Sequence, residues 1–231
     1  MTSERLQPRI SVNKLGEYMV QPDSSRRRKI LSDQKYFEAS KPIAIQYSDA
    51  RRAIVGALHN GTLDPARILR ESTRLASDKS GTAKALSNRA NDVAALDAFL
   101  SLLPSLPKGA VWSAAPRSPA LMSFGGLSVS VAPEFFIQLN RGGTQAIGAV
   151  KLHFPKKEDR KLGKEGSQLV AIVLNQWLAA HGPKGRRIAH DLCLSVDVFR
   201  KTVYHAPKGQ ARLLARIDDS CTEILARWPT V

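Results

Sequence analysis

Two residues of opposite charge, Glu134 and Lys151, stand on either side of a tight turn and could act on a phosphate group. The segment LSVSVAPEFFIQL, the turn NRGG and the segment TQAIGAVKLHF predict a β-hairpin that carries Glu134 before the turn and Lys151 after it. A carboxylate can hold Mg²⁺ near a scissile phosphate, and a lysine beside it can orient water or stabilise charge in the transition state. The pattern therefore predicts metal-assisted phosphodiester chemistry at this hairpin.

The second carboxylate that such chemistry needs is missing from its expected position. Residues two apart on a strand share a face, so Ala149, Lys151 and His153 are predicted to point the same way. The methyl group of Ala149 then stands where a second acid is wanted. Glu165, three residues before Gln168 on the following helix, could supply that carboxylate instead. The predicted catalytic set is Glu134, Lys151, Glu165 and Gln168, with Glu134 and Glu165 as ligands of Mg or Mn if the site is active.

Each of these residues also has an ordinary structural role open to it. Glu165 could be a first-turn residue favoured there by the helix dipole. Glu134 could be a solvent-facing strand residue after Pro133, and Lys151 a surface lysine. The residues alone leave both interpretations open.

The order of these motifs resembles the PD-(D/E)XK nuclease superfamily, and within it the RecB-like exonucleases that include the CRISPR-associated RecB-like proteins. Those proteins often open with a Ser-x-x-x-Leu-x-x-Tyr helix that ends in Cys-Pro and basic residues. The matching positions here are Ser11, Leu15, Tyr18 and Pro22, followed by SSRRRK. Their catalytic strands are followed by a Gln-x-x-x-Tyr helix, in which Gln168 takes the first place. The resemblance covers roughly residues 10–36 and 124–228, and it implies a nuclease-like core that acts on nucleic acid.

The chain departs from the family pattern at several signature positions. Gln21 replaces the cysteine, and no cysteine cluster occurs elsewhere, so the iron–sulfur cluster of some relatives is not expected. Ala149 replaces the acidic residue of the Glu-x-Lys motif, and Ile172 replaces the tyrosine. His59 is a loose match to a histidine usually found upstream. The resemblance therefore implies a nuclease fold with a degenerate metal site.

The elements that must position these residues divide the chain at a proline-rich connector. Residues 1–10 are predicted to form a disordered lead-in, 11–103 a helical region, 104–123 the connector and 124–231 a nuclease-like α/β core. Ser11 can cap the first helix, and apolar spacing predicts further helices from SSRRRK onward, from Ser48, over 65–76 and over 83–103. The connector is marked by prolines 104, 107, 116 and 119.

Beyond the connector the apolar period changes from helical to alternating. Leu127, Val129 and Val131 alternate with serines, as in a half-buried strand. From Gln168 the period is helical again, LCLSVDVF and VYHAP predict a second hairpin, and an amphipathic helix follows. We therefore expect an α/β (α+β) fold, with a small central mixed sheet flanked by helices, restriction-endonuclease-like, and an N-terminal helical region.

The charge of the chain favours a polyanionic partner. The formal net charge is +15, and most of the excess lies within residues 1–60 and 151–190. We expect nucleic acid, DNA in particular, rather than an anionic membrane, although a solvated basic loop is the ordinary alternative. Aromatic content is 6%, without an aromatic-rich motif, so a dedicated single-strand platform is not indicated. The predicted nucleic-acid contacts are Arg26, Arg27, Arg28, Lys29, Lys156, Lys157, Arg160, Lys161 and Lys164.

The cysteines and the hydropathy pattern bear on the compartment. Cys193 and Cys221 are far apart on apolar faces, which predicts reduced core residues. No charged-then-apolar leader opens the chain, and no apolar run approaches the roughly 20 residues that span a bilayer. We therefore expect a cytoplasmic protein with no membrane partner.

Three functions remain open at the level of the sequence. The first is a nucleic-acid-binding protein with a RecB-like fold and a degenerate, inactive metal site. The second is an active Mg²⁺- or Mn²⁺-dependent nuclease that uses Glu134, Glu165 and Lys151. The third is a protein-interaction subunit, with other chains or further copies of itself as partners. The missing acid at Ala149 favours the first.

Overall fold

The structure is a computed structural model, and it describes residues 2–38, 47–116, 120–154 and 156–231. The α-helices in these ranges are α1 (Val12–Val20), α2 (Ser24–Lys35), α3 (Ser48–Gly56), α4 (Pro65–Ser77), α5 (Ala83–Leu102), α6 (Gly163–His181) and α7 (Ala211–Arg227). The strands are β1 (Thr2–Glu4), β2 (Arg9–Ser11), β3 (Tyr36–Glu38), β4 (Leu58–His59), β5 (Thr62–Leu63), β6 (Val111–Ala114), β7 (Ala120–Phe124), β8 (Leu127–Val131), β9 (Phe135–Arg141), β10 (Thr144–His153), β11 (Arg187–Ile188), β12 (Leu194–Asp197) and β13 (Thr202–His205). The predicted mixed α/β class is confirmed.

The central sheet is mixed, and β10 lies at its middle. The strand order is β13-β12-β10-β9-β6, with β11 also paired to β10. β9 and β10 form an antiparallel hairpin, whereas β12 runs parallel to β10. Parallel neighbours need a crossover, which α6 supplies between β10 and β12. The C-terminal ends of β10 and β12 and the start of α6 therefore lie on the same side of the sheet. Below, the edge where β10 and β12 end means this side and not an outer strand.

The two faces of the central sheet pack against different helices. One face forms a core with α1, α2, α6 and α7, which we call the α6-side core; it includes Ala149, Trp177 and Ile217. The other face forms a core with α3, α4 and α5, which we call the α5-side core; it includes Val150 and Phe99. Alternate residues of β10 enter opposite cores, as the two-residue period of a strand requires.

The helices begin where local signals predict. Asp23 accepts hydrogen bonds from the backbone N–H groups of Ser25 and Arg26 and so caps α2. Asp64 and Thr82 cap α4 and α5 in the same way. The predicted first helix is α1, although the Ser11 side chain makes no capping hydrogen bond there.

The predicted domain boundaries need three corrections. Residues 2–4 and 9–10, predicted to be disordered, lie in β1 and β2, because distant strands β3 and β8 supply their pairing partners. The predicted connector contains β6, an edge strand of the central sheet, and the start of β7; its residues 117–119 lie outside the described ranges. The predicted helical region is shared between both cores, since α1 and α2 pack on one face and α3 to α5 on the other. β1, β2 and β6 have only three or four residues, too few for an alternating pattern to be recognised in the sequence.

The predicted hairpin is also divided. LSVSV forms β8 in a separate sheet of order β2-β8-β7, and FFIQLNR forms β9 in the central sheet. The chain changes sheets at Ala132–Glu134, where Pro133 has no N–H to donate to a ladder. Glu134 therefore stands at the start of β9 rather than in the middle of a long strand.

Candidate functional site: a buried ion-pair group at the basic edge of the sheet

Glu134 and Lys151 face each other across the β9–β10 pairing. The last pair of the ladder is Phe135 with Val150, and the backbone N–H of Glu134 donates to the Val150 carbonyl oxygen at 2.8 Å. This extends the register by one residue and sets Glu134 opposite Lys151. The Lys151 Nζ donates to Glu134 Oε1 at 2.9 Å. The proximity predicted from the hairpin is therefore present.

The Glu134 carboxylate is enclosed by cationic and N–H partners. Its Oε1 also forms an ion pair with Arg51 Nε of α3, at 3.0 Å. Its Oε2 accepts a hydrogen bond from the backbone N–H of Leu152 at 2.7 Å. Lys151 Nζ additionally donates to the carbonyl oxygen of Ala132. We call Glu134, Lys151 and Arg51 the ion-pair group.

Burial sets the electrostatics of this group. Glu134 and Lys151 have relative exposures of 7% and 9%. Desolvation lowers the pKa of Lys151 from its ordinary value, and the nearby Arg51 lowers it further, while Glu134 opposes both effects. Burial therefore disfavours the charged form of Lys151, whereas its contact with the Glu134 carboxylate favours that form.

The residues around Glu134 do not fit a metal ion. Ala149 is fully buried and its methyl group packs in the α6-side core, so no oxygen ligand stands at that position. Mg²⁺ and Mn²⁺ require several oxygen ligands, whereas the Glu134 carboxylate is already in contact with two cations and a backbone N–H. Within the described ranges, no group of three or more His, Cys, Asp or Glu residues is arranged to hold a metal ion. These residues therefore support no reaction step through a metal ion.

Of the two predicted site residues on α6, Glu165 has its ion-pair partner on another helix. Glu165 is exposed and its carboxylate pairs with Arg216 of α7 rather than with any residue of the ion-pair group. Gln168 is half-buried on the same helix. The buried residues of the first turns of α6 are Gly166, Ser167, Leu169 and Val170.

A second set of polar side chains lies one step further along β10. His153 pairs in register with Asp197 of β12, just as Lys151 pairs with Ser195. Asp197 is 1% exposed and binds Arg200 through both carboxylate oxygens; burial raises the pKa of Asp197 above its ordinary value. Burial lowers the pKa of His153 to about 3. His153 is therefore neutral at pH 7.

The first basic segment, residues 26–29, has side chains that point in different directions. Arg26 pairs with the buried Glu17 of α1 at 3.5 Å and with Asp159 at 3.4 Å. Arg27 and Arg28 turn instead toward the C-terminal part of the chain, where they contact Glu223 and the Thr230 carbonyl. Lys29 forms an exposed pair with Asp33 along α2. Four consecutive helical residues cover all sides of a helix, so the run cannot turn one common face to the second segment, which Arg26 contacts through Asp159.

The second basic segment, residues 156–164, follows β10 and runs into the start of α6. Lys156 donates to Asn91 of α5, and Lys161 pairs with Glu158. Lys157 and Lys164 are exposed, and Arg160 is half-buried. The carbonyl oxygen of Arg160 lies 3.4 Å from His153 Nε2, which ties this loop to the end of β10.

Three residues of this region were not predicted from the sequence: Arg51, Glu17 and Asp197. Glu17 lies on α1 among buried residues, and an acidic residue inside an apolar stripe was a signal that could have been used. Asp197 lies in an otherwise apolar strand, LSVD, and carried a similar signal. For Arg51 no local signal exists, because its contact with Glu134 spans more than 80 residues of chain.

Comparison with known proteins does not place this arrangement in a family. No protein-family model matches the chain, and no curated protein matches it. Every helix in the described part of the chain is too short or too polar to cross a lipid bilayer. Cys193 and Cys221 are buried free thiols, and burial raises their pKa to about 11 and about 12, which agrees with the predicted role as reduced core residues.

Proposed function

We propose that this protein binds nucleic acid at the edge of the central sheet where β10 and β12 end, and that it does not cleave the nucleic acid. The observation that carries the proposal is the contact between Arg26 and Asp159, at 3.4 Å. It joins the two basic segments, which are far apart in the chain, and the second of them follows β10, the strand that carries Lys151. The two parts of the chain that hold most of the net charge of +15 are therefore in contact, and we assign the phosphate backbone to them.

The charges at this edge favour a polyanion. Acidic residues are present, but two of them each pair with two cations: Glu158 binds both Lys161 and Arg200, and Glu17 binds both Lys14 and Arg26. Lys157 and Lys164 remain exposed beside them. Basic side chains therefore exceed acidic ones at this edge, and each phosphate neutralised would steepen the log–log salt dependence of duplex binding by about 0.9.

Binding without cleavage follows from the state of Glu134. A metal-dependent nuclease needs carboxylates that are free to coordinate the ion. Glu134 is neutralised by Lys151 and Arg51, and the neighbouring position holds Ala149. This donor set supports a degenerate nuclease-like site in which the ion pair stabilises the edge of the sheet.

The proposal is tested by fluorescence anisotropy with labelled DNA of about 20 nucleotides, single-stranded and duplex, over about 50 to 200 mM NaCl. We expect binding that weakens steeply with salt. The triple variant Lys156→Ala/Lys157→Ala/Lys164→Ala should reduce the salt slope for duplex DNA by about 2 to 3. The matched control, Lys79→Ala/Lys84→Ala/Lys108→Ala, removes the same charge from other exposed positions and should change the slope little.

Two results would overturn the proposal. Absence of binding to either DNA, or to RNA of the same length, at the lowest salt would remove nucleic acid as the partner and favour a protein-interaction subunit. Equal effects of the two triple variants would mean that the net charge of the chain, rather than this edge, governs binding. Cleavage that is lost in Glu134→Ala would instead identify an active nuclease.

A further inference from the structure

Three aromatic rings from distant parts of the chain meet beside the ion-pair group. Tyr47 precedes α3, Phe154 follows β10 and Phe199 follows β12. The Tyr47 and Phe154 rings are stacked, with centroids 5.3 Å apart and an interplanar angle of 17°. The Phe199 ring meets Tyr47 edge-on at 5.4 Å. We call these three residues the aromatic group.

The aromatic group lies next to cationic side chains. The guanidinium of Arg51, which pairs with Glu134, also lies over the Phe154 ring, 5.3 Å from its centroid. Arg200 directly follows Phe199 and pairs with Glu158 of the second basic segment. Two guanidinium groups therefore lie next to the aromatic group, and one of them is paired with the second basic segment.

The rings are placed at the rim of the α5-side core rather than inside it. Phe154 is buried, whereas Tyr47 and Phe199 are half-buried and keep part of their surface in solvent. Tyr47 also has a left-handed backbone, with φ of 67°. A residue other than glycine adopts this conformation at an energetic cost, which the surrounding contacts must offset. The residue with the strained backbone, Tyr47, is therefore also one that places an aromatic ring at the rim of the core.

We propose that the aromatic group stacks an unpaired base, so that the nucleic acid bound at this edge is single-stranded or carries an unpaired nucleotide. This inference rests on the proposed function. In a duplex the base faces are covered by their neighbours, and only the groove edges and phosphates are accessible. In a single strand each base offers a flat face to an aromatic ring, while the cations around the ring bind the adjacent phosphates. Local motifs in the sequence indicated no stacking platform, because the three rings come from positions 47, 154 and 199.

The experiment compares single-stranded and duplex DNA of equal length on the full chain. In Tyr47→Leu and Phe199→Leu, apolar volume is kept but the ring face is lost. We expect each variant to bind oligothymidylate about ten-fold more weakly, with duplex binding unchanged. Tyr36→Leu is the matched control: Tyr36 is 39% exposed and lies 5.2 Å from Lys35 Nζ, at the opposite end of α2 from Arg26. It should leave both affinities unchanged.

A second measurement uses the unaltered protein and so does not depend on the variants folding. A single 2-aminopurine in an oligothymidylate strand loses fluorescence when it stacks on an aromatic ring. We expect quenching on binding for at least one position along the strand.

The outcomes separate this inference from the proposed function. If the unaltered protein binds DNA but Tyr47→Leu and Phe199→Leu, both folded by circular dichroism, bind single strands normally, the stacking inference is wrong and the proposed function stands. Binding without quenching at any position has the same meaning. If the unaltered protein binds neither form, both proposals fall.

Discussion

The Lys151 Nζ lies 2.9 Å from Oε1 of Glu134, the residue just before β9, which stands opposite Lys151 of β10. The pair is buried, and Arg51 approaches the same oxygen from α3. Two buried charges of opposite sign attract each other, whereas a single buried charge would be strongly destabilising because it loses its hydration. The pair therefore makes the edge of the sheet sensitive to loss of one partner.

Removing one partner of this pair should destabilise the protein. In Lys151→Met the carboxylate keeps Arg51 and the Leu152 N–H but loses its closest cation, so we expect a loss of about 3 kcal/mol in the free energy of unfolding. Urea denaturation at pH 7 measures it. The control Lys29→Met breaks an exposed pair with Asp33 and should cost less than about 1 kcal/mol.

Removing both partners should be less harmful than removing one. Glu134→Leu/Lys151→Met also removes the buried carboxylate that Lys151→Met leaves with one cation fewer, and we expect it to recover part of the loss seen in Lys151→Met. A Lys151→Met protein as stable as the Lys29→Met control would contradict the assigned role of the pair.

Stability should fall in mildly acidic solution because of His153. Its pKa is lowered by burial to about 3; the Arg160 carbonyl opposes this shift, while Lys14, Arg200 and Lys151 add to it. The unfolded chain has a histidine pKa of about 6.5, so protons bind more readily to the unfolded state as the pH falls below that value. The resulting decrease in the free energy of unfolding is absent above about pH 6.5 and grows as the pH falls to about 3. We expect it to reach about 1 to 2 kcal/mol at pH 5.

His153→Gln provides the comparison for this pH dependence. The glutamine cannot be protonated, so the free energy of unfolding measured by urea denaturation should change less between pH 7 and pH 5 than in the unaltered protein. Most carboxylates titrate below this range, since their pKa values lie near 4 or lower. Parallel profiles for the two proteins would show that His153 does not govern this window.

The glycine at position 148 should be essential for packing. A Cβ atom added at Gly148 would overlap the carbonyl oxygen of Leu192, a backbone atom that cannot move away cheaply. We expect Gly148→Ala to lose about 3 kcal/mol or to accumulate as insoluble protein. At Gly56 an added Cβ meets nothing within 4 Å, so Gly56→Ala should be neutral or stabilising by up to about 1 kcal/mol. Thermal denaturation of the two variants side by side distinguishes them, and equal melting temperatures would refute the assigned contact.

Divalent metal ions should have little effect on this protein. Because Glu134 is neutralised and Ala149 provides no ligand, we expect Mn²⁺ or Mg²⁺ at millimolar concentration to leave the melting temperature unchanged. Linear, circular and single-stranded DNA should stay intact under the same conditions. A rise in melting temperature that disappears in Glu134→Gln would identify a metal site at this position.

Local features of the fold were predictable from the sequence. Asp64 before Pro65, and Thr82 before the long apolar stripe of α5, mark the starts of two helices that the structure contains. The alternation in β8 and the turn between β9 and β10 were equally clear. The division between β8 and β9 was missed, because an uninterrupted apolar alternation does not reveal that its two halves pair with different strands.

The candidate site was predictable only in the part that a hairpin brings together. Glu134 and Lys151 are neighbours through a single turn, so their contact follows from strand pairing. Arg51 reaches Glu134 from a helix in another layer, and Glu165 turns to Arg216 of α7. Which side of a helix faces which neighbour depends on the packing of whole elements, and the spacing of α6 residues did not reveal it.

The sequence alone determined where most helices begin and that Glu134 pairs with Lys151, because helix caps, apolar periods and tight turns act over a few residues. The basic character of the protein follows from its composition. Only the packed molecule established that Arg26 meets Asp159, that Arg51 neutralises Glu134, and that Tyr47 stacks on Phe154. These contacts join residues separated by tens to more than a hundred positions. They arise from the burial of two cores on opposite faces of one sheet, which is a property of the folded chain as a whole.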